Sequence, residues 1–288
     1  VIGVFLKVIF RKKLLISLHA VYGQLKNNKL ATLLTTLILN NAEIVLGMSN
    51  TVINQFKKLG LKKIEVKMKE RNELSILAIQ GPQSEKILSL CSNLPTVALK
   101  NKMRLQGTIK GETFISKTGY TGELGYEVIL PNEESKILWQ EAIAVGAKPA
   151  GLAARDTLRL EAGMNLYGFE MDESISPLEC NMEWTVSLKD NKREFLGKEA
   201  FLTKKNSNDC LHLVGVLLEE RAIIRSGQEV YLDAKKTVKG IVTSGSYSPT
   251  LKKSIALARV PRLKKDICYT EVRGKLLEAK IGKPRFIK

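Results

Sequence analysis

From about Asn206 onward the chain changes texture, and that change limits the folds open to it. Downstream, "LHLVGVLLE", "EVYLD", "VKGIVTSGSYS", "SIALARV" and "CYTEVRG" are short β-branched runs separated by turn residues. Short strands so spaced predict a small β-barrel or sandwich, in which strand edges are closed or covered. Upstream the pattern mixes helix and strand. "LSILAIQGPQSEKILSL" reads as a strand entering Gly-Pro and then a helix. "EIVLGMSN" and "IEVKM" read as short strands, with helical apolar spacing in "TVINQFKKLGL" between them. After Pro131-Asn132, "EESKILWQEAIAVG" has the pattern of an amphipathic helix with acids in its first turn. The alternation predicts an α+β class, with helices laid on antiparallel sheets. At 288 residues the chain exceeds the usual size of one domain. The polar stretch "KKNSND" marks the expected boundary, giving regions 1–205 and 206–288.

Two segments carry candidate chemistry. "KTGYTGELGYEVILP", Lys117–Pro131, sets two tyrosines and two glutamates among three glycines ahead of a strand-like run. Glycines there allow a sharp turn or a close approach of backbone to a ligand, so the segment is either a hairpin or a binding loop. In "AGLAARDTLRLEAGMNLYG" helical spacing puts Arg155 and Arg159 on one face. Like charges at that spacing repel unless Asp156, Glu161 or another carboxylate neutralises them, or a ligand lies across them. Downstream, "YGFEMDESISPLECNMEW" reads as a solvated acidic loop, and Trp184 within it as a core residue. Phosphate-loop, nucleophile-elbow and zinc-protease motifs are missing. With two histidines in the chain, acid–base work falls to carboxylates, tyrosines or the substrate.

The balance of 46 Lys and Arg against 29 Asp and Glu gives +17, which favours an acidic partner or reflects a compositional bias towards lysine. Dispersed lysine and 6% aromatics argue against a nucleic-acid binder, which needs clustered charge with interleaved rings. Cys91, Cys180, Cys210 and Cys268 are far apart and make no metal-ligand spacing with His19 or His212, so free or buried thiols in a reducing compartment are expected, and no metal site. The opening "VIGVFLKVIFRKKLLISLHAVYG" is interrupted by Lys7 and Arg11-Lys12-Lys13. That leaves it short of the ~20 residues of a spanning helix, so no membrane association is expected. The chain lacks an initiator Met, which suggests an incomplete start.

Taken together, "KTGYTGELGYEVILPNE", "PAGLAARDTLRLEAGMNLYGFEMDESISPLECNMEW" and "GIVTSGSYSPTLKKSIALARVP" resemble the aminomethyltransferase, or T-protein, family of the glycine cleavage system, across roughly Glu43 to Lys288. The resemblance implies a folate-binding α+β fold plus a C-terminal β-barrel. Region 1–205 would then be the folate-binding catalytic region, incomplete at its N-terminus, and 206–288 the barrel. It implies transfer of the methylene carbon of an aminomethyl-lipoyl H-protein to tetrahydrofolate, with release of ammonia. The lipoyl-bearing H-protein is the implied partner, and the bacterial cytoplasm or the mitochondrial matrix the implied location. Tyr120 and Glu127 match the family's folate-contacting Tyr and Glu, and Arg155 matches the Arg placed against the cofactor. Glu123 and Tyr126 keep a structural reading.

The family's acidic position falls on Thr35 or Thr36 in "ATLLTTLIL", and threonine cannot hold a negative charge near the folate amine. The catalytic residue is therefore left unassigned. The alternative is a folate-binding relative without aminomethyl transfer, or a decayed non-catalytic remnant. The tRNA-modification and iron–sulfur assembly branch of the superfamily carries a Cys-containing signature that "NKREFLGKEAF" lacks.

Overall fold

In the computed structural model the described residues are 15–17, 44–46, 71–91, 94, 104–190, 195, 197–262 and 265–287. The strand expected in "EIVLGMSN" is found as β2 (Ile44–Leu46), paired in parallel with β1 (Leu15–Ser17). The expected strand "IEVKM", the helix "TVINQFKKLGL" and the Thr35/Thr36 position lie outside the described residues. Contacts divide the described chain into two units, one of 71–164 with 285–287, the other holding 165–284 with β1 and β2.

The first unit is built on a four-stranded antiparallel sheet. Its strands are β3 (Leu74–Gln80), β4 (Gly107–Lys110), β5 (Thr113–Ser116) and β6 (Gly125–Pro131), in the order β3-β6-β5-β4. Helices α1 (Ser84–Leu90), α2 (Asn132–Ala144) and α3 (Leu152–Glu161) belong to the same unit. The alternation of β6 explains the arrangement. Val128 lies opposite Leu77 on one side and Ile115 on the other, and Tyr126 lies opposite Ile79. These residues, with Leu130, form one apolar face that packs with Leu88 of α1 and Leu138 and Ala142 of α2. Each fully buried aliphatic side chain contributes roughly 1.5–3 kcal/mol of transfer free energy, so this face supplies the main cohesion of the unit. α2 begins directly after Pro131 with Glu133 and Glu134 in its first turn, as its sequence suggests.

The second unit contains α4 (Lys198–Asn206), then β7 (His212–Leu218), β8 (Glu229–Tyr231), β9 (Lys239–Ser248), β10 (Lys253–Val260), β11 (Ile267–Val272) and β12 (Lys275–Gly282). These six strands close into a barrel in the order β10-β7-β12-β11-β8-β9, so no edge is left unpaired. Val216, Leu218, Val230, Val242, Ala256, Ala258, Cys268 and Ala279 fill its interior. Gly245 is required where the chain crosses, because a Cβ there would fall 2.5 Å from the Ile224 carbonyl oxygen. Burial pushes the Cys268 thiol up to about 12 and contributes most to raising Cys180 to about 11. All four cysteines are free and buried. Trp184 departs from its reading as core: it is 76% exposed. A short 3-10 turn, Glu183–Thr185, holds it at the surface, and local sequence gave no sign of which way that turn would face. Among the described residues no helix is long and apolar enough to cross a membrane.

Candidate functional site

The sheet of the first unit has a second face, and Glu127 lies on it. Because side chains alternate along a strand, Glu127 points away from the face that carries Tyr126 and Val128. Its lateral neighbours are Ala78 on β3 and Ser116 on β5. The Glu127 side chain is nonetheless buried, at 6% exposure. A buried carboxylate needs hydrogen bonds to offset lost hydration, and Thr118 supplies one by donating its hydroxyl to Oε2. The Ser116 hydroxyl lies 3.0 Å from Thr118 Oγ1 and donates to the Glu127 backbone carbonyl at 3.3 Å. That bond engages Oε2, and a carboxylate has further lone pairs with which to accept a ligand N–H.

Tyr120 stands in the loop between β5 and β6. Its ring carries the Arg155 guanidinium 4.5 Å from its centroid, a cation–π stack that joins the loop to the first half of α3. The paired arginines seen in the sequence therefore part company. Arg159, 2% exposed, donates from Nε to Asp156 Oδ1 at 2.7 Å and from Nη1 to the Met164 carbonyl at 3.3 Å. That is the local neutralisation expected for one of them. Arg155 keeps its guanidinium on the tyrosine and partly accessible.

The glycines explain why the loop can lie where it does. Gly122 takes a positive φ of 80°, and a Cβ on it would come 2.7 Å from the Ala162 side chain at the end of α3. The loop therefore meets α3 twice, at Arg155 through Tyr120 and at Ala162 through Gly122. Arg104 donates to the Gly122 and Glu123 carbonyls at 3.3 and 3.4 Å and holds the loop from the other side. Glu123 itself is exposed. Tyr126 is a core residue whose hydroxyl donates to Glu85 at 3.0 Å, and burial followed by that bond raises it to about 12. The structure thus joins Tyr120 to Arg155 and places Glu127 on the adjoining strand with its own partner.

The site residues are one buried carboxylate on a sheet face that also carries the exposed Ile76 and Ile109, and one cation stacked on a ring in the preceding loop. The family now follows from comparison with known proteins. Residues 28–190 match the GCVT N-terminal domain, and residues 212–288 match the glycine cleavage T-protein C-terminal barrel domain. The chain belongs to the glycine cleavage T-protein family. It is 44% identical over 218 residues to an aminomethyltransferase of Methylococcus capsulatus, covering 76% of this chain and 59% of that protein. It is 46% identical over 224 residues to one from Legionella pneumophila, covering 77% and 62%. Among solved structures, the glycine cleavage system aminomethyltransferase T of Bartonella henselae matches with a TM-score of 0.68 at 30% identity, covering 75% of this chain and 60% of that one. The chain thus spans about three fifths of the length of these T-protein relatives.

Sequence reasoning did not single out Thr118 or Gln80. Thr118 lies inside the glycine-rich segment, and its i+9 relation to Glu127 becomes visible only once the hairpin register is known. Gln80 closes a strand ahead of Gly-Pro and reads locally as the start of a turn. The available clue was alternation, since Gln80 shares the parity of Ala78, which faces Glu127.

Proposed function

We propose that this chain acts as an aminomethyltransferase of the glycine cleavage system. It would move the methylene carbon from the aminomethyl-lipoyl arm of an H-protein to tetrahydrofolate, releasing ammonia and leaving the dihydrolipoyl arm. The observation that carries the proposal is a buried Glu127 carboxylate on β6 together with the Arg155–Tyr120 stack in the loop that leads into that strand, in a chain of this family. The family is folate-dependent in general and works with an H-protein. A pterin offers ring N–H and amino donors, which suit a buried acceptor, and a flat face, which suits a ring and a guanidinium.

On this reading Glu127 orients the pterin, while Arg155 offers it a positive charge. Tyr120 holds the guanidinium near its ring. The 1–205 region serves as the folate-binding catalytic part and 206–288 as the barrel. The net charge of +17 steers an acidic H-protein towards the site.

Incubating the purified chain with aminomethylated H-protein and tetrahydrofolate should yield methylenetetrahydrofolate. Absence of product, with tetrahydrofolate still bound by calorimetry, would replace the transferase by a folate-binding relative. Glu127→Ala should weaken that binding by at least about tenfold, the equivalent of one hydrogen bond to a charged group. Parent-like binding by the variant would remove Glu127 from the site.

A further inference from the structure

We propose that Gln80 is the positioning residue of this site, clamping the 118–126 loop so that Tyr120 and Glu127 stand where a ligand needs them. The inference rests on the folate reading for its ligand and on independent geometry for the clamp. Gln80 ends β3 opposite Gly125, on the same sheet face as Glu127. Its Nε2 donates to the Thr118 carbonyl at 3.2 Å and to the Tyr126 carbonyl at 3.4 Å. Its Oε1 accepts from the Thr121 hydroxyl at 3.1 Å. Both functions of the amide are used, which defines its orientation.

The bonded positions lie close along the chain to the two candidate residues. Thr118 and Thr121 flank Tyr120, and Tyr126 immediately precedes Glu127. Two of the glycines are needed because the amide lies against the loop. A Cβ on Gly119 would fall 1.7 Å from Gln80 Oε1, and one on Gly125 would fall 2.4 Å from its amide atoms. Thr121, 6% exposed, has little water to turn to if the amide is lost. Anchoring Thr118 by its carbonyl also leaves its hydroxyl aimed at the Glu127 carboxylate. Gln80 therefore acts through the loop, and two of the three glycines in "TGYTGELGYE", Gly119 and Gly125, lie against its side chain.

The decisive variant is Gln80→Glu, which keeps shape and acceptor but loses the N–H donors. At about pH 8 its backbone order parameters over 119–124 should fall from the rigid range of ~0.85 to below ~0.6, while those of Val128 and Leu130 stay rigid. Tetrahydrofolate affinity should drop about tenfold at the same pH. Part of both losses should be recovered as pH is lowered towards about 5, where a protonated carboxyl regains one donor. Thr121→Val, which removes one bond of the clamp and leaves the strand untouched, should show a smaller loss of the same kind. A Gln80→Glu loop as rigid as the parent's, with parent-like affinity, would overturn the proposal. If Gln80→Glu failed to fold, an unchanged loop in Thr121→Val would do so instead. A parent that bound no tetrahydrofolate would sink the folate reading, and the order parameters would still decide the clamp.

Discussion

The two faces of the β3-β6-β5-β4 sheet come from the same residues taken alternately, yet they carry opposite chemistry. On one, Leu77, Ile79, Ile115, Tyr126, Val128 and Leu130 meet the apolar sides of α1 and α2. On the other, Gln80, Ser116, Glu127 and the glycines form a polar patch. Beside it runs a row of Ile76, Ile129, Phe114 and Ile109, matched strand to strand by register. Ile76 is 58% and Ile109 71% exposed. The difference teaches how the carboxylate is held. A slip of one residue in β6 would bury Glu127 among the helices and expose Val128, so the closed face enforces register for the open one. Cohesion and binding are thus divided between alternate residues.

Substitutions on each face should separate these contributions. Ile115 is fully buried, so Ile115→Ala should lower unfolding free energy by about 2–4 kcal/mol in urea titration. Tetrahydrofolate affinity of the folded fraction should be nearly unchanged. Arg155→Ala should behave in reverse, with affinity reduced about tenfold or more and the unfolding midpoint shifted little, because the stack is partly accessible. Arg155→Lys should recover little of the loss, since a compact, strongly hydrated ammonium stacks on a ring less well than a guanidinium. If Ile115→Ala and Arg155→Ala each lowered stability and affinity together, the division between faces would be wrong.

Much of this division was legible in residue order. Alternation in "LSILAIQ" and "GYEVILP" marks the strands, and the short runs after Asn206 mark the barrel. Arg159 with Asp156 follows from helical spacing alone. What was not legible depends on partners far along the chain. Gln80 bonds residues 38, 41 and 46 positions away, and its type and place resemble ordinary turn punctuation. Trp184 failed for a related reason: an aromatic side chain in a loop has no periodicity to say which way it faces. The separation of Arg155 from Arg159 needed the Tyr120 ring, supplied by a loop more than thirty residues earlier.

The smallest expected effect tests a buried polar atom on the closed face. Tyr126 is 1% exposed, and its hydroxyl reaches Glu85 at the start of α1, where Lys117 Nζ stands 4.0 Å from the same carboxylate oxygen. Tyr126→Phe keeps the ring and removes one hydrogen bond to a charged acceptor, so at neutral pH it should cost about 1–2 kcal/mol. Folding raises the tyrosine from 10.0 to about 12, first through burial and then through Glu85. A raised value means that the folded state holds the proton more tightly. The tyrosine's contribution is therefore complete below about pH 10 and declines between about 10 and 12, as the unfolded chain ionises first. The stability gap between parent and Tyr126→Phe, followed by urea titration at stepped pH, should hold level to about pH 9 and then narrow. A gap that stayed level through pH 11 would show that folding does not raise the tyrosine. A gap near zero at neutral pH would show that the hydroxyl adds nothing to the cohesion of the closed face.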